Sequence, residues 1–591
     1  MRASSTSSVG DASAPGWQFA RLSAPYWHCE RKWRVRLAVL LLVLLTVAQV
    51  ALAVWTSYWN RELFDALEAR SLKDLIVQAA VFVLIFALTI VITALHLHVK
   101  RWVQLDWRQW LTRRLLDQWL SRNHSYQLQF TRGDHDNPDG RIAEDVRIAT
   151  ESAVALAHSL FYSILILGSF VDILLSVSGS LQVPGIGVEV PAYLVLLAFL
   201  YAGVGTALSM LFGRPLISST NRLQTVEANL RFGLGRAREN AELIALMHGE
   251  GIERHHADRL FADVGRGWNR QTLGFLGVVS FSSGYGTLLP VFPILVAAPQ
   301  YIAGLMTLGV LMQAAQAFQK LTSALSWPVD NLGELARCRA SADRVVSLYK
   351  DMLMLEERAA LPVAHRIERR PGPERELVLC ELSLANPDGR VLLEHLDLRV
   401  RRGERVLITG DPTVAVTVFK AVAGLWPWGD GQILLPVDQA IVFLPQYPYL
   451  PDGSLRDALS YPRPTVAFST AELRRALECA GVAWLAPRLD EVDAWDRVLP
   501  LRARQRLGIA RLLLHRPAWV FLEEATSAFG PETEVCMTEL LYRELPGTTI
   551  IAISFHEGLE RLFTRKLVLA RLTEEKFLAC EEALPCELRE A

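Results

Sequence analysis

A helix needs about 20 consecutive apolar residues to cross a hydrocarbon core, and this chain supplies such stretches repeatedly before residue 330. The clearest lie at 37–55, 75–95, 153–175 and 191–212; two more, at 273–296 and 302–325, are interrupted by Gly and Pro. Six spans are therefore expected. Composition agrees, because a soluble enzyme rarely carries 51% hydrophobic against 21% charged residues over 591 positions. The formal net charge of −1, from 61 basic and 62 acidic residues, gives no electrostatic case for nucleic-acid binding. With 9% aromatics the bulk of the chain is not disordered.

About 30 residues precede the first apolar stretch and no small-residue cleavage site follows it, so it reads as a retained span rather than a signal peptide. Residues 1–15, rich in Ser, Gly and Ala, read as a disordered tail. Lys and Arg concentrate on cytoplasmic loops. Here they sit before span one (Arg31, Lys32, Arg34, Arg36), between spans two and three (Lys100, Arg101, Arg108, Arg113, Arg114) and between spans four and five (Arg214, Arg222, Arg231, Arg236, Arg238, Arg254). Residues 176–190 contain none. Both termini are thereby expected inside, with short outer loops. The inner segments 98–152 and 213–272 keep apolar residues at helical spacing, so spans two to five are expected to continue into the cytoplasm. Asp172 is the most conspicuous intramembrane acid; it reads either as a functional ionisable group or as one hydrated near the outer surface.

The seven cysteines (Cys29, Cys338, Cys380, Cys479, Cys536, Cys580, Cys586) are scattered, with no C-x-x-C pair. They suggest neither a disulfide framework nor a zinc site.

From about residue 376 the pattern changes to short β-rich runs separated by helices. Strands are expected at 377–384, 405–409, 440–444, 519–522 and 549–554, the alternation of an α/β domain with a largely parallel sheet. The expected divisions are a tail at 1–20, a transmembrane domain at 21–350, a linker at 351–375, an α/β domain at 376–575 and a tail at 576–591. The run 405–409 leads into Gly410 and a helical pattern, the setting of a phosphate-binding loop G-x-x-x-x-G-K-[ST], which supplies backbone amides, a Lys and a magnesium-binding hydroxyl. The residues are Gly410-Asp411-Pro412-Thr413-Val414-Ala415-Val416-Thr417, without the Lys. A register shifted by one residue puts Ala415 at that place, and Lys420 lies about a turn further along the helix. Pro412 lacks an N–H, and the side chains of Thr413 and Ala415 oppose the backbone that an anion nest requires. The lost charge-assisted bonds, each worth about 1.5 to 3 kcal/mol, predict weak or absent ATP binding.

Ala423-Gly424-Leu425-Trp426-Pro427, Phe443-Leu444-Pro445-Gln446-Tyr447-Pro448-Tyr449 and Gly453-Ser454-Leu455-Arg456 resemble the ATPase domain of an ABC half-transporter. The subgroup they resemble contains the SbmA/BacA-like bacterial peptide and cobalamin transporters and the peroxisomal subfamily D transporters. In the membrane half, Trp59-Asn60-Arg61-Glu62-Leu63-Phe64-Asp65-Ala66-Leu67, Asp136-Asn137-Pro138-Asp139-Gly140-Arg141-Ile142, Gly213-Arg214-Pro215-Leu216 and Glu239-Asn240-Ala241-Glu242-Leu243-Ile244-Ala245 are similar to that group's motifs. The resemblance spans residues 20–570. It implies a six-span α-helical membrane domain of the ABC exporter type I fold, fused to an α/β P-loop-type nucleotide-binding domain.

By that resemblance Gly410, Thr417, Gln446 and Glu523 hold nucleotide, Thr417 and Gln446 its magnesium, Glu524 is the base that polarises water and His556 contacts the γ-phosphate. Glu523 stands where the family has Asp, and the loop before His556 is one residue short. The signature L-S-x-G-E-Q-Q-R reads Leu499-Pro500-Leu501-Arg502-Ala503-Arg504-Gln505-Arg506, and the S-A-L-D loop reads Ser527-Ala528-Phe529-Gly530. Arg502, Arg504 and Arg506 form either a new anion patch or a solvated helix face. ATP and magnesium are thus the implied cofactors, a bilayer and a homodimer or heterodimer the implied surroundings, and an amphipathic solute crossing a bacterial inner membrane the implied cargo. Two energy sources stay open: a proton gradient, with Asp65, Asp136, Glu151 and Asp172 as carriers, or slow or heterodimeric ATP coupling. Peptide, bleomycin-like or cobalamin-like solutes are the expected cargo, a fatty-acyl group the alternative.

Overall fold

The computed structural model describes residues 15–130, 137–178, 180–182, 189–360, 366–437, 441–571 and 577–583. Asp136, Ala440, most of the expected N-terminal tail, residues 361–365 of the expected linker and residues 584–591 lie outside them. The chain forms two compact units, Met1–Ser121 with Asp134–Leu353, and Arg122–Gly133 with Met354–Ala591.

The first unit is helical: α1 Lys32–Glu68, α2 Leu72–Trp119, α3 Val146–Val177, α4 Tyr193–Glu239, α5 Glu250–Ile302 and α6 Leu308–Leu325. Counting the turns from Pro138 with α3, the first five are long and apolar enough to cross a membrane. At 1.5 Å per residue the 48 residues of α2 reach about 70 Å, more than twice the hydrocarbon thickness. The continuation of the spans beyond the bilayer, expected from periodicity, is therefore a property of the helix lengths.

The sixth expected stretch, 302–325, divides. Its first residue ends α5, a turn follows, and α6 is an 18-residue helix carrying Gln313, Gln316, Gln319 and Lys320. Such a helix suits a protein-lined place better than lipid, and α6 packs against α1, α3, α4 and α5 with Gln313, Ala317, Phe318 and Leu321 fully buried. Its N-terminus is fastened by the end of α1. Asp65 Oδ1 accepts the N–H of Gly309 at 3.0 Å, and Glu68 Oε2 accepts that of Leu308 at 2.8 Å. Carboxylates there satisfy orphan donors and oppose the positive end of the helix. A Cβ on Gly309 would stand 2.2 Å from the carbonyl oxygen of Arg61, so only glycine fits. Within the same motif Trp59 Nε1 donates to the carbonyl of Gln78 at 2.8 Å, and Gln78 Nε2 donates to Glu62 at 2.8 Å, closing the α1–α2 hairpin.

The second unit is built on a ten-stranded sheet. Its strands are β1 Glu368–Pro371, β2 Glu376–Ala385, β3 Val391–Arg401, β4 Arg405–Gly410, β5 Gly429–Leu435, β6 Ile441–Leu444, β7 Trp519–Glu523, β8 Thr549–Ile553, β9 Arg565–Arg571 and β10 Phe577–Ala583, in the order β1-β5-β2-β3-β10-β9-β4-β8-β7-β6. Strands β9, β4, β8, β7 and β6 are parallel, and β2 is antiparallel to β3 and β5. The parallel strands read as near-continuous Val, Ile and Leu because both their faces are covered. One core lies between β4, β7, β8 and the helix α7 Pro412–Ala423; another surrounds Trp495 and the helix α8 Leu501–His515. The stretch Arg122–Gly133, between α2 and α3, belongs to this unit, and in it Phe130 meets the rings of Trp426 and Trp428 edge-on at 5.8 and 5.1 Å.

Candidate nucleotide site

Ligands of open parallel sheets bind beyond the carboxyl ends of the strands. The register puts Leu522 beside Leu444, Glu523 beside Ile553, and Ile553 beside Ile408. Gly410, Gln446, Glu523, Glu524 and His556 therefore lie at or just beyond the carboxyl ends of these strands.

The loop after β4 is closed upon itself. Gly410 has φ +112°, and a Cβ there would meet the carbonyl oxygen of Leu569 at 2.3 Å, so β9 runs directly alongside. The N–H of Asp411 donates to that carbonyl at 3.3 Å. Helix α7 begins one residue later, with Asp411 as its N-cap: its Oδ1 accepts the N–H groups of Thr413 at 2.9 Å and Val414 at 3.2 Å. Ala415 N–H donates to the carbonyl of Asp411 at 3.1 Å, and Pro412 has no N–H to give. Every backbone donor from 411 to 415 is thus engaged, and a carboxylate sits where an anion would be cradled. Thr417 is 5% exposed and its hydroxyl donates to the carbonyl of Thr413 at 2.7 Å, turned into the helix rather than toward a metal.

Across the edge the remaining polar groups bind one another. Gln446 Nε2 donates to Glu524 Oε2 at 2.7 Å and to Ser527 Oγ at 3.2 Å. Gln505, fully buried on α8, donates to the carbonyl of Gln446 at 3.0 Å and to Ser527 Oγ at 3.2 Å, and accepts the N–H of Ala528 at 3.0 Å. Glu524 adopts φ +43° as the chain leaves β7. Burial raises the carboxyl of Glu523 above its ordinary pKa; the charge of Lys420 opposes that shift and Glu524 reinforces it.

His556 Nδ1 lies 2.8 Å from Oε2 of Glu534, which is 1% exposed. Glu534 Oε1 also accepts from Thr526 at 2.7 Å and Ser554 at 3.4 Å, so this carboxylate fixes the turn on which His556 stands. Two of the α8 arginines, Arg502 and Arg506, turn back on the domain. Arg502 donates to the carbonyl of Ala528 at 3.2 Å, and Arg506 donates to that of Ala480 at 2.8 Å and lies over the Phe529 ring at 5.3 Å. Pro500, at the N-cap, gives α8 no side-chain cap.

Sequence reading missed Asp411, Glu534 and Gln505. Asp411 carried a signal, Asp followed by Pro being an N-cap and first helical residue; the other two depend on tertiary contacts. A magnesium triphosphate needs free loop amides, a loop cation and an outward hydroxyl, and the residues present do not fit it.

Residues 22–276 match the family model described as ABC transporter transmembrane region 2. An ABC transporter ATP-binding protein of Haemophilus influenzae is 30% identical over 94% of this chain and 92% of its own length. The inner membrane ABC transporter ATP-binding protein YddA of Escherichia coli is 27% identical over 92% and 95%, and the mouse lysosomal cobalamin transporter ABCD4 is 26% identical over 77% and 78%. The chain belongs to the ABC transporter family: it is a membrane protein with a helical transmembrane region fused to an ABC-type nucleotide-binding domain, similar to subfamily D half-transporters.

Proposed function

We propose that this chain is one protomer of a carrier that moves peptides or similar amphipathic solutes across a bacterial inner membrane, with both termini cytoplasmic, ATP hydrolysis weak or lost, and the proton gradient as energy source. The observation that carries the reading is the Asp411 carboxylate on the amides of Thr413 and Val414. Phosphoryl transfer is chiefly positioning and electrostatics, and here an internal anion holds the donors that would do the positioning. The cobalamin and inner-membrane names of relatives support the cargo class and the membrane. A dimer is supported by exposed apolar residues beyond the spans of α4 and α5, among them Phe232, Leu246, Met247 and Phe261, each at least 65% exposed.

The test is uptake by proteoliposomes of the full chain, offered antimicrobial peptides and cobalamin, with ATP and a proton gradient supplied separately. Uptake that follows the gradient and ignores ATP supports the reading; uptake that needs ATP overturns it. A second reading, slow or heterodimeric ATP coupling of peptide or acyl transport, is favoured by the contact between Gln446 and Glu524 and by relatives named as ATP-binding proteins.

A further inference from the structure

Two of the four carboxylates expected to carry protons are committed elsewhere. Asp65 accepts from Gly309 and pairs with Arg61, and Glu151 pairs with Arg147 at 3.5 Å. Two histidines outside that set stand together inside the membrane unit. The rings of His96 on α2 and His158 on α3 are 4.3 Å apart between centroids, and the Nε2 atom of each is buried without a hydrogen-bond partner. His158 lines a cavity of about 290 Å³ whose other walls are Gln49, Leu52, Ala53 and Thr56 of α1, Thr89 and Thr93 of α2, and Tyr162 of α3. A single water needs only about 10 to 15 Å³ of such space and a few polar partners, so this cavity is roomy and polar enough for several.

Two imidazolium ions at that separation in a medium of low dielectric repel strongly, whereas one proton and two rings are compatible. The cavity wall contributed by α1 is uncharged; Tyr162 follows His158 by one turn, and Lys100 follows His96 by one turn on α2. Trp327 and Glu334 reach α3 at Ser159 and Ser152.

We propose that His96 and His158 form one proton-binding site of the transmembrane domain, which takes up a single proton and exchanges it with water in the adjoining cavity. The step is a protonation: an imidazole lone pair takes a proton from cavity water and returns it, with no other bond changed. The inference deepens the proton-driven reading and rests on it for its role in transport, but the site itself is testable alone.

The full chain, labelled with ¹⁵N-histidine and reconstituted in lipid bilayers, is titrated between about pH 5 and 8 by solid-state NMR, the range in which imidazoles change charge. His96→Gln, His158→Gln and the double variant are compared with the unaltered chain. After subtraction of the double variant, one imidazolium per chain is expected for the unaltered pair and one for each single variant. None, or two, for the unaltered pair overturns the proposal. If a variant does not fold, the two rings are identified in the unaltered chain by their mutual through-space contact and counted there. Uptake that ignores a proton gradient defeats proton driving while leaving a count of one standing.

Discussion

The Oδ1 of Asp411 lies 2.9 Å from the amide nitrogen of Thr413, and that bond caps the helix that follows β4. Replacing Ser, Thr, Asn or Asp at an N-cap by Ala costs about 1 kcal/mol. Asp411→Ala is therefore expected to lower the unfolding free energy of the nucleotide-binding domain by that amount, with no gain in ATP affinity because Pro412 remains and the loop has no Lys. Denaturant unfolding followed by domain-specific fluorescence checks the first part and equilibrium nucleotide binding the second.

Gly309 marks the place where α6 touches the end of α1. A methyl group there collides with the carbonyl of Arg61, and overpacking of this kind costs about 1 to 3 kcal/mol. Gly309→Ala is expected to reduce thermal stability in detergent clearly more than Gly304→Ala, whose added Cβ would meet open space although its φ of +73° strains any side chain. Equal losses would contradict the account of the α1–α6 lock.

Glu534 is expected to behave as a structural anchor. Removing a buried carboxylate that accepts from Thr526 and faces His556 forfeits hydrogen bonds to a charged group, each worth about 1.5 to 3 kcal/mol. Glu534→Ala should destabilise the domain by about 3 kcal/mol, and Glu534→Gln, which keeps an acceptor for Thr526, by clearly less. Chemical denaturation of the two variants separates these outcomes.

The Glu523 carboxyl, raised chiefly by burial, gives a pH dependence whose sign is fixed. A folded-state pKa above the unfolded value means that the folded domain holds the proton more tightly, so this residue's contribution is full below the ordinary carboxylate range and is lost as pH rises through the raised pKa. Glu523→Gln should therefore stabilise the domain near neutral pH and leave it unchanged in acid. Melting temperatures measured across pH would show the reverse if Glu523 were held as an anion for a metal.

Much of this was legible in the sequence. The strands at 405–409 and 519–522 announce themselves as short Val, Ile and Leu runs, and the structure extends each by a single residue, to Gly410 and Glu523. The residues from Gly410 to Thr417 contain no Lys, and that too is plain in the sequence. The α6 boundary was not, because Gln313 and Gln316 dilute the apolar signal in a helix whose surroundings are protein rather than lipid. The pairing of His96 with His158 was also out of reach, since residues on separate helices far apart in the chain meet only through packing. Asp411 was the intermediate case: its Asp-Pro signal was present, but the surrounding pattern pointed to phosphate chemistry instead of a cap.

The central claim is that the chain's own residues close its nucleotide site, and thermal unfolding of the full chain in lipid nanodiscs, with and without millimolar ATP and magnesium, tests it most directly. A ligand at about 100 times its dissociation constant adds about 2.7 kcal/mol to the folded state, a rise of several degrees for a domain of this size. No shift is the result this structure predicts. A rise of several degrees that depends on magnesium and is abolished by Glu524→Ala would contradict it.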